Sequence, residues 1–465
     1  MKVNYQETID SLPKEFVQPN SLEKIQRLNS QSERTLVILD DDPTGTQTVH
    51  GVDIITTWEV GLLQGLFEAK SPIFFILTNS RSLQEPEATA LAEEIGANLK
   101  KASEAAKRKI MVVSRGDSTL RGHYPAEVDA MSEALGIERA ITVLIPAFFE
   151  GGRFTINNTH WVKEGEELIP ASETPFAQDA AFGYKNAELT KWVEEKSKGK
   201  IKAADVESIS LDDLRLVPEK LVEQLISMNN GATCVVNAAA YSDLENIVIA
   251  IIKAEKEGKK FTFRTAASIV PVLAGIERKP PLVRNDFTFK NENGGIVIVG
   301  SYVPKTSAQL EKLKELESLS FKEVDVNRLL ESDSAHYISK LIAELDEKIS
   351  YGQTVVIYTS RLLVKGNDGA SSLNIGNKIS ESLVAIVKGL KSQPKFVLAK
   401  GGITSSDTAT KGLGIKKAKA IGQILPGVPV WEQGAEAKYP GVPYVVFPGN
   451  VGDDNAVATA IKKLI

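Results

Sequence analysis

The 465-residue chain has a single cysteine, Cys234, and only four histidines. One cysteine forbids an intrachain disulfide. Because Cys234 lies in the apolar run Ala232-Thr233-Cys234-Val235-Val236, it reads as a core thiol. With no HExxH or CxxC spacing, a zinc site has no donor set to draw on. No window approaches the roughly 18 apolar residues of a membrane-crossing helix, and Met1 to Asn20 is too polar for a secretory signal. Positive charge is not in excess either: 55 Lys and Arg stand against 60 Asp and Glu, a formal charge of -5. That balance gives no global field for nucleic acid or anionic lipid. Neither GxxxxGKS/T nor GxGxxG occurs, which argues against an ordinary P-loop enzyme and a dinucleotide oxidoreductase. A cytoplasmic protein without nucleic-acid or membrane partners is expected.

What is present is a series of short apolar runs. Leu36–Leu39, Ile73–Leu77, Ile110–Val113, Ile141–Ile145 and Thr233–Val236 make up the first set. They are apolar on successive residues, as strands covered on both faces should be. Between two of them, Ala88, Leu91, Ile95, Leu99 and Ala102 recur on one helical face. The alternation predicts an α/β fold with a mainly parallel sheet flanked by helices. A second set (Ile296–Val299, Thr354–Tyr358, Phe396–Ala399 and Tyr444–Phe447) follows the proline- and charge-rich stretch Glu277–Arg284. The length exceeds what one core usually supports. Two α/β domains are therefore expected, 31–280 and 281–465, after an extension over 1–30 that becomes helical from Ser21.

Ligands of open parallel sheets bind beyond the C-terminal strand ends, so the polar residues after each run carry the functional information. In the first half these are Asp40-Asp41-Asp42-Pro43-Thr44-Gly45, Thr78-Asn79-Ser80-Arg81, Ser114-Arg115-Gly116-Asp117-Ser118-Thr119-Leu120-Arg121-Gly122-His123 and Pro146-Ala147-Phe148-Phe149-Glu150-Gly151-Gly152-Arg153. Adjacent carboxylates need a cation or strong donors close by, and the arginine fork suits carboxylate or phosphate. Together they predict a pocket for a small, anionic, hydroxyl-rich molecule, with Phe148 and Arg153 on a lid. His123 reads as a structural histidine, with a binding or basic role as the alternative. In the second half, Gly300-Ser301, Lys400-Gly401-Gly402-Ile403-Thr404 and Pro448-Gly449-Asn450 form glycine-lined loops suited to a polyanion such as ATP. Thr306 with Gln309 predicts a capping box. The stretch Gly422–Trp431 is either an adenine wall or hairpin core.

These stretches resemble the four-carbon acid sugar kinase family over roughly 35–460. Asp41-Asp42-Pro43-Thr44-Gly45, Asn79-Ser80-Arg81 and Asp117-Ser118-Thr119-Leu120-Arg121-Gly122 stand where that family has its N-terminal motifs, and Pro146-Ala147-Phe148 and Gly152-Arg153 resemble the next segment. Ser301, Gly401-Gly402-Ile403-Thr404 and Gly449-Asn450 resemble its nucleotide-binding motifs. The chain departs from many members at Pro43, Thr46, Arg115 and Gly116, which leaves the particular acid open. The resemblance implies ATP- and Mg²⁺-dependent phosphorylation of threonate, erythronate, 3-oxo-tetronate or a close relative, with the active site in the interdomain cleft. For such a transfer, Arg81 and Arg121 are expected to clamp the substrate carboxylate or steady the transferring phosphoryl group, and Asp41, Asp42 and Asp117 to orient hydroxyls, one of them accepting the proton or aiding Mg²⁺; Lys400 or Lys305 either approaches the phosphates or faces solvent. No protein side chain is assigned to a metal. A homodimer is plausible on general grounds. Two other readings of the same residues are a metal-dependent sugar-acid lyase or isomerase and a non-catalytic ligand sensor.

Overall fold

The computed structural model describes residues 2–301, 303–331, 333–361, 369–449 and 451–465, side chains of 369–374 excepted. It comprises two compact units, the first Met1–Thr48 with Thr57–Arg278, the second Val49–Thr56 with Lys279–Ile465.

The first unit is built on a parallel sheet in the order Glu207–Ile209, Thr233–Val236, Ile141–Ile145, Phe261–Thr265, Lys109–Arg115, Arg34–Asp40, Ile73–Leu77. Every residue of Arg34–Asp40 and of Ile73–Leu77 is buried, which is why those runs do not alternate. The Glu85–Ala105 helix lays Ala88, Ile95, Leu99 and Ala102 on the sheet. Gly96 lets it approach the Ala126–Leu135 helix closely, since a Cβ there would lie 2.6 Å from that of Ala134. Register decides where the chemistry falls. Asp40 pairs with Leu77 on one side and Arg115 on the other, so three chain segments leave the sheet at one level.

A small antiparallel sheet, Val3–Asn4, Glu167–Pro170, Thr159–Glu164 and Arg153–Ile156, also belongs to this unit. Its Asn157-Asn158 turn has both residues at positive φ, 51° and 59°, the geometry that matches strand twist in two-residue hairpins. The Ser21–Ser32 helix is held by Gln26 on the Gly275 carbonyl and Asn29 on that of Leu273, each at 2.7 Å. Cys234 is a buried free thiol.

The second unit's sheet runs Val52–Ile55, Lys417–Leu425, Val428–Gln433, Pro443–Phe447, Val397–Lys400, Ile296–Val299, Val355–Thr359, Ser320–Val324. Its last five strands are parallel and the others antiparallel. Gly422–Trp431 lies in the hairpin, where Ile424, Val428, Val430 and Trp431 are buried core. The capping box at Thr306 does not form. Pro304 starts the helix, Pro304–Lys314, with Val303 as its cap, so Thr306 and Gln309 both lie inside it. Their buried side chains reach another loop instead: Thr306 Oγ1 to the Gly449 carbonyl at 3.3 Å, Gln309 Nε2 to those of Val451 and Asp453 at 3.0 and 2.8 Å. Among the described residues, no helix is long and apolar enough to cross a membrane.

Candidate active site

The strand ends of the first unit converge on Arg81. Its guanidinium pairs with Asp42, with Asp117 at 3.1 Å and, at 3.9 Å, with Asp41. Burial disfavours that charge, but the surrounding carboxylates outweigh it and raise Arg81 above its usual range. Asp42 is fixed further by the amide of Thr44 at 2.8 Å and by the Thr44 hydroxyl. Burial opposes its ionisation, yet Arg81 and Thr44 hold it below the usual carboxylate range. Asp117 behaves alike. Against burial, Arg81, Arg121 and Thr119 keep it well below that range, with Arg121 Nε at 2.9 Å and Nη2 at 3.0 Å. The adjacent carboxylates thus find their counter-charge in guanidiniums.

Asp40 is different. Burial, reinforced by Asp41 and Asp42, pushes it up to about 7 although Arg115 lies 3.1 Å away. Gly45 closes over it, and a Cβ at that position would lie 1.7 Å from Asp40 Oδ2. A side chain there would displace the Asp40 carboxylate. Asp40 is therefore a floor to the site, while Asp42, with its side chain 16% exposed, is the more open carboxylate.

With Arg81 committed to three carboxylates and Arg121 to Asp117, Arg153 is the guanidinium of this cluster that no carboxylate pairs among the described residues. Arg121 and Arg153 both lie over one ring, Phe176, at 5.1 and 5.7 Å from its centre. Arg121 also approaches Asp179 at 3.7 Å. Arg153 donates to the Gly151 carbonyl, and its Nε is buried without a hydrogen-bond partner among the described residues. Burial, aided by the nearby Arg121 charge, lowers its proton affinity. Two like charges sharing a ring favour an anion between them. Phe148 pairs with Arg153 through backbone bonds of 3.1 and 2.8 Å, closing a tight turn. Ser118 contributes its carbonyl, which accepts from His160 Nε2 at 2.7 Å.

His160, Arg264, Glu127, Phe176 and Asp179 were not foreseen from the sequence. His160 is buried and pushed down to about 4 by desolvation, so it is a neutral ring bonded to Thr155 and Ser118 that braces the Asp117 loop. Arg264 donates to the Arg121 carbonyl at 2.7 Å and passes so close to Gly116 that a Cβ there would lie 1.4 Å from it. An arginine inside the apolar strand Phe261–Thr265 was a readable signal, since a buried charge needs partners. Glu127 lines a small cavity with Asp41, Ser80, Arg115 and Arg264, and burial pushes it up to about 7. His123 lies with Nε2 at 3.2 and 3.1 Å from the Ser80 and Leu83 carbonyls, an arrangement of a structural donor.

In the second unit, Ser301, Gly401 and Gly449 follow three adjacent parallel strands. Gly401 has φ +115°, and its missing Cβ would sit 3.1 Å from that of Ser301; one at Gly300 would strike Thr404 Oγ1 at 2.3 Å. The crowding brings Gly300-Ser301 against Gly401 and Thr404 at the start of the short Gly402–Asp407 helix, whose Ile403 is exposed. Gly449 has open space beside it. Asn450 lies outside the described residues. Arg361, one residue past the Ser360 that follows Val355–Thr359, donates to the Ser301 carbonyl at 2.7 Å and was missed, although the strand-end logic points to it. Among the described residues no group of three or more His, Cys, Asp or Glu has metal-holding geometry. Mg²⁺, which the nucleotide would bring on its phosphates, has no preformed protein cage there.

Residues 36–273 match the family described as a sugar-binding N-terminal domain, and 296–457 the family described as a nucleotide-binding C-terminal domain. A D-erythronate kinase of Heliobacterium modesticaldum is 24% identical over 417 residues, covering 84% of this chain and 87% of that one. A Haemophilus influenzae structure of the DUF1537 family superposes with TM-score 0.66 at 18% identity, covering 92% of this chain and all of that one. A Salmonella typhimurium LT2 structure gives 0.69 at 17%, covering 93% and all of it. Fold and site therefore define a protein with one sugar-binding and one nucleotide-binding half. The chain belongs to the four-carbon acid sugar kinase family.

Proposed function

We propose that the protein transfers the γ-phosphoryl group of ATP to a hydroxyl of a four-carbon sugar acid such as erythronate or threonate. The observation that carries this reading is Arg153, without a carboxylate partner among the described residues, beside Arg121 over Phe176 and next to carboxylates already neutralised by Arg81 and Arg121. The acid group of the substrate sits between the two guanidiniums, and Asp42 and Asp117 orient its hydroxyls. Both carboxylates stay ionised at neutral pH and are weak bases. That suits a loose phosphoryl-transfer transition state, in which positioning and charge stabilisation dominate. Bound ATP supplies the phosphoryl group with Mg²⁺ neutralising its charge, while Ser301, Gly401, Gly402, Thr404 and Gly449 hold the phosphates and Arg361 stands by as a further cation. Transfer requires the acceptor oxygen and γ-phosphorus in line at about 3–3.5 Å.

The test is an ADP-release screen over four-carbon acids and their matching polyols, with mass detection of product. A phosphorylated acid formed one-to-one with ADP is expected, with the polyols poor acceptors. ATP-independent dehydration of an acid, or binding of an acid without turnover, contradicts the reading.

A further inference from the structure

Lys400 ends the Val397–Lys400 strand and is completely buried. Its Nζ donates to the carbonyl oxygens of Pro448 at 2.6 Å and Gly449 at 3.0 Å, and it lies 4.5 Å from the centre of the Phe447 ring. No carboxylate lies within 4.0 Å among the described residues, and the charged group that acts on it, Lys305 in the first turn of Pro304–Lys314, repels it. A buried ammonium without a counter-charge is costly. Burial, with Lys305 adding, pushes Lys400 down to about 7. A neutral amine has two N–H donors, and the two carbonyls use both.

Those carbonyls belong to the loop that faces the nucleotide site. Gly449 has no atom within 4 Å of where its Cβ would be, and Thr306 steadies the same carbonyl from the neighbouring helix. Gly401, on the other flank, is the next residue after Lys400. The lysine therefore lies one backbone layer behind the surface that a phosphate would touch. An anion on that surface stabilises the ammonium form, and the Phe447 face offers the charge a further favourable contact.

We propose that Lys400 is a positioning residue that takes up a proton when a nucleoside polyphosphate docks on the Gly401 and Gly449 loops. One proton passes from solvent to Nζ on binding and returns on release, with no bond made to the nucleotide. Above neutral pH, the cation that steadies the phosphate loop is thus present with the ligand and largely absent without it. This inference rests on the reading of the second unit as a nucleotide site.

The experiment is calorimetric titration of the full chain with Mg-ADP in buffers of different ionisation enthalpy, at about pH 8, where the nucleotide phosphates are already ionised. Uptake of most of a proton per nucleotide is expected, with affinity falling by up to about tenfold per pH unit above neutrality. Lys400→Met should bind more weakly and take up none; Lys400→Arg, always charged, should bind without uptake. Should neither variant fold, the wild-type titration decides. Wild-type binding without uptake, or undiminished uptake in Lys400→Met, overturns the proposal and leaves the nucleotide reading standing. Absence of any nucleotide binding overturns both.

Discussion

At the strand ends of the first unit, Asp42 and Asp117 share Arg81, and Arg121 and Arg153 share Phe176. At the corresponding ends of Ile296–Val299 and Val397–Lys400 in the second unit stand Gly300-Ser301 and Gly401-Gly402, with bare backbone and hydroxyls. One fold principle, a parallel sheet offering its C-terminal edge, is thus furnished in two ways. Paired side-chain charges make a rigid frame with fixed directions, which can distinguish the carboxylate and hydroxyls of a small acid. Amides and small residues let a long polyanion approach closely, and they read charge and shape more than stereochemistry. The second unit keeps its basic side chains, Lys400 and Arg361, on carbonyl oxygens in place of carboxylates. No carboxylate pairs either among the described residues, whereas Arg81 is already shared by three.

The largest effect expected is at Asp42. Asp42→Asn should lower kcat by about 100-fold by removing one of the three carboxylates that hold Arg81 and misorienting the acceptor, with nucleotide affinity unchanged by calorimetry. A kcat within about twofold of wild type removes Asp42 from the mechanism. Arg153→Ala comes next. It should raise KM for the acid by about 10- to 100-fold, as loss of a charge-assisted pair does, while leaving the matching polyol unaffected. An equal change for both would assign Arg153 to packing. In the second unit, Gly401→Ala forces a side chain into φ +115° against Ser301. It should weaken nucleotide binding by about tenfold, the effect of ~1–3 kcal/mol of backbone strain, and leave acid binding intact. Unchanged nucleotide affinity would detach that loop from the site.

The smallest effect concerns pH and separates the units by stability. The folded-state pKa of Glu127 is raised to about 7 by burial. Its stabilising contribution is therefore full below its unfolded value and is lost as pH rises through about 7. Glu127→Gln removes that loss. Relative to wild type, the variant should gain about 1–2 kcal/mol in urea unfolding on going from about pH 5 to about pH 8. Asp40 has the same sign and remains, so part of the slope persists. An identical slope in both proteins would show that Glu127 is not its source.

Much of this was legible because burial on both sheet faces leaves an unbroken apolar run, and the residue after such a run must lie at the sheet edge. Asp41, Asp42, Arg81, Asp117 and Arg121 were found that way, and Asp42, Arg81, Asp117 and Arg121 do meet in one ion-pair network. Which arginine is free was not legible, because it depends on who captures Arg81 across the register of three strands. Phe176 and Asp179 sit in short turns with no periodicity to announce them. His160 required the Asn157-Asn158 hairpin to be recognised first. The Thr306–Gln309 spacing misled because Pro304 starts the helix two residues earlier than Thr306 and turns both side chains toward the Gly449 loop.

The division of labour is tested most directly by titrating Arg153→Ala and Gly401→Ala each with a four-carbon acid and with Mg-ADP. The account predicts a crossed result. Arg153→Ala loses affinity for the acid and keeps that for the nucleotide, and Gly401→Ala does the reverse. Loss of nucleotide affinity in Arg153→Ala with acid affinity retained would contradict it.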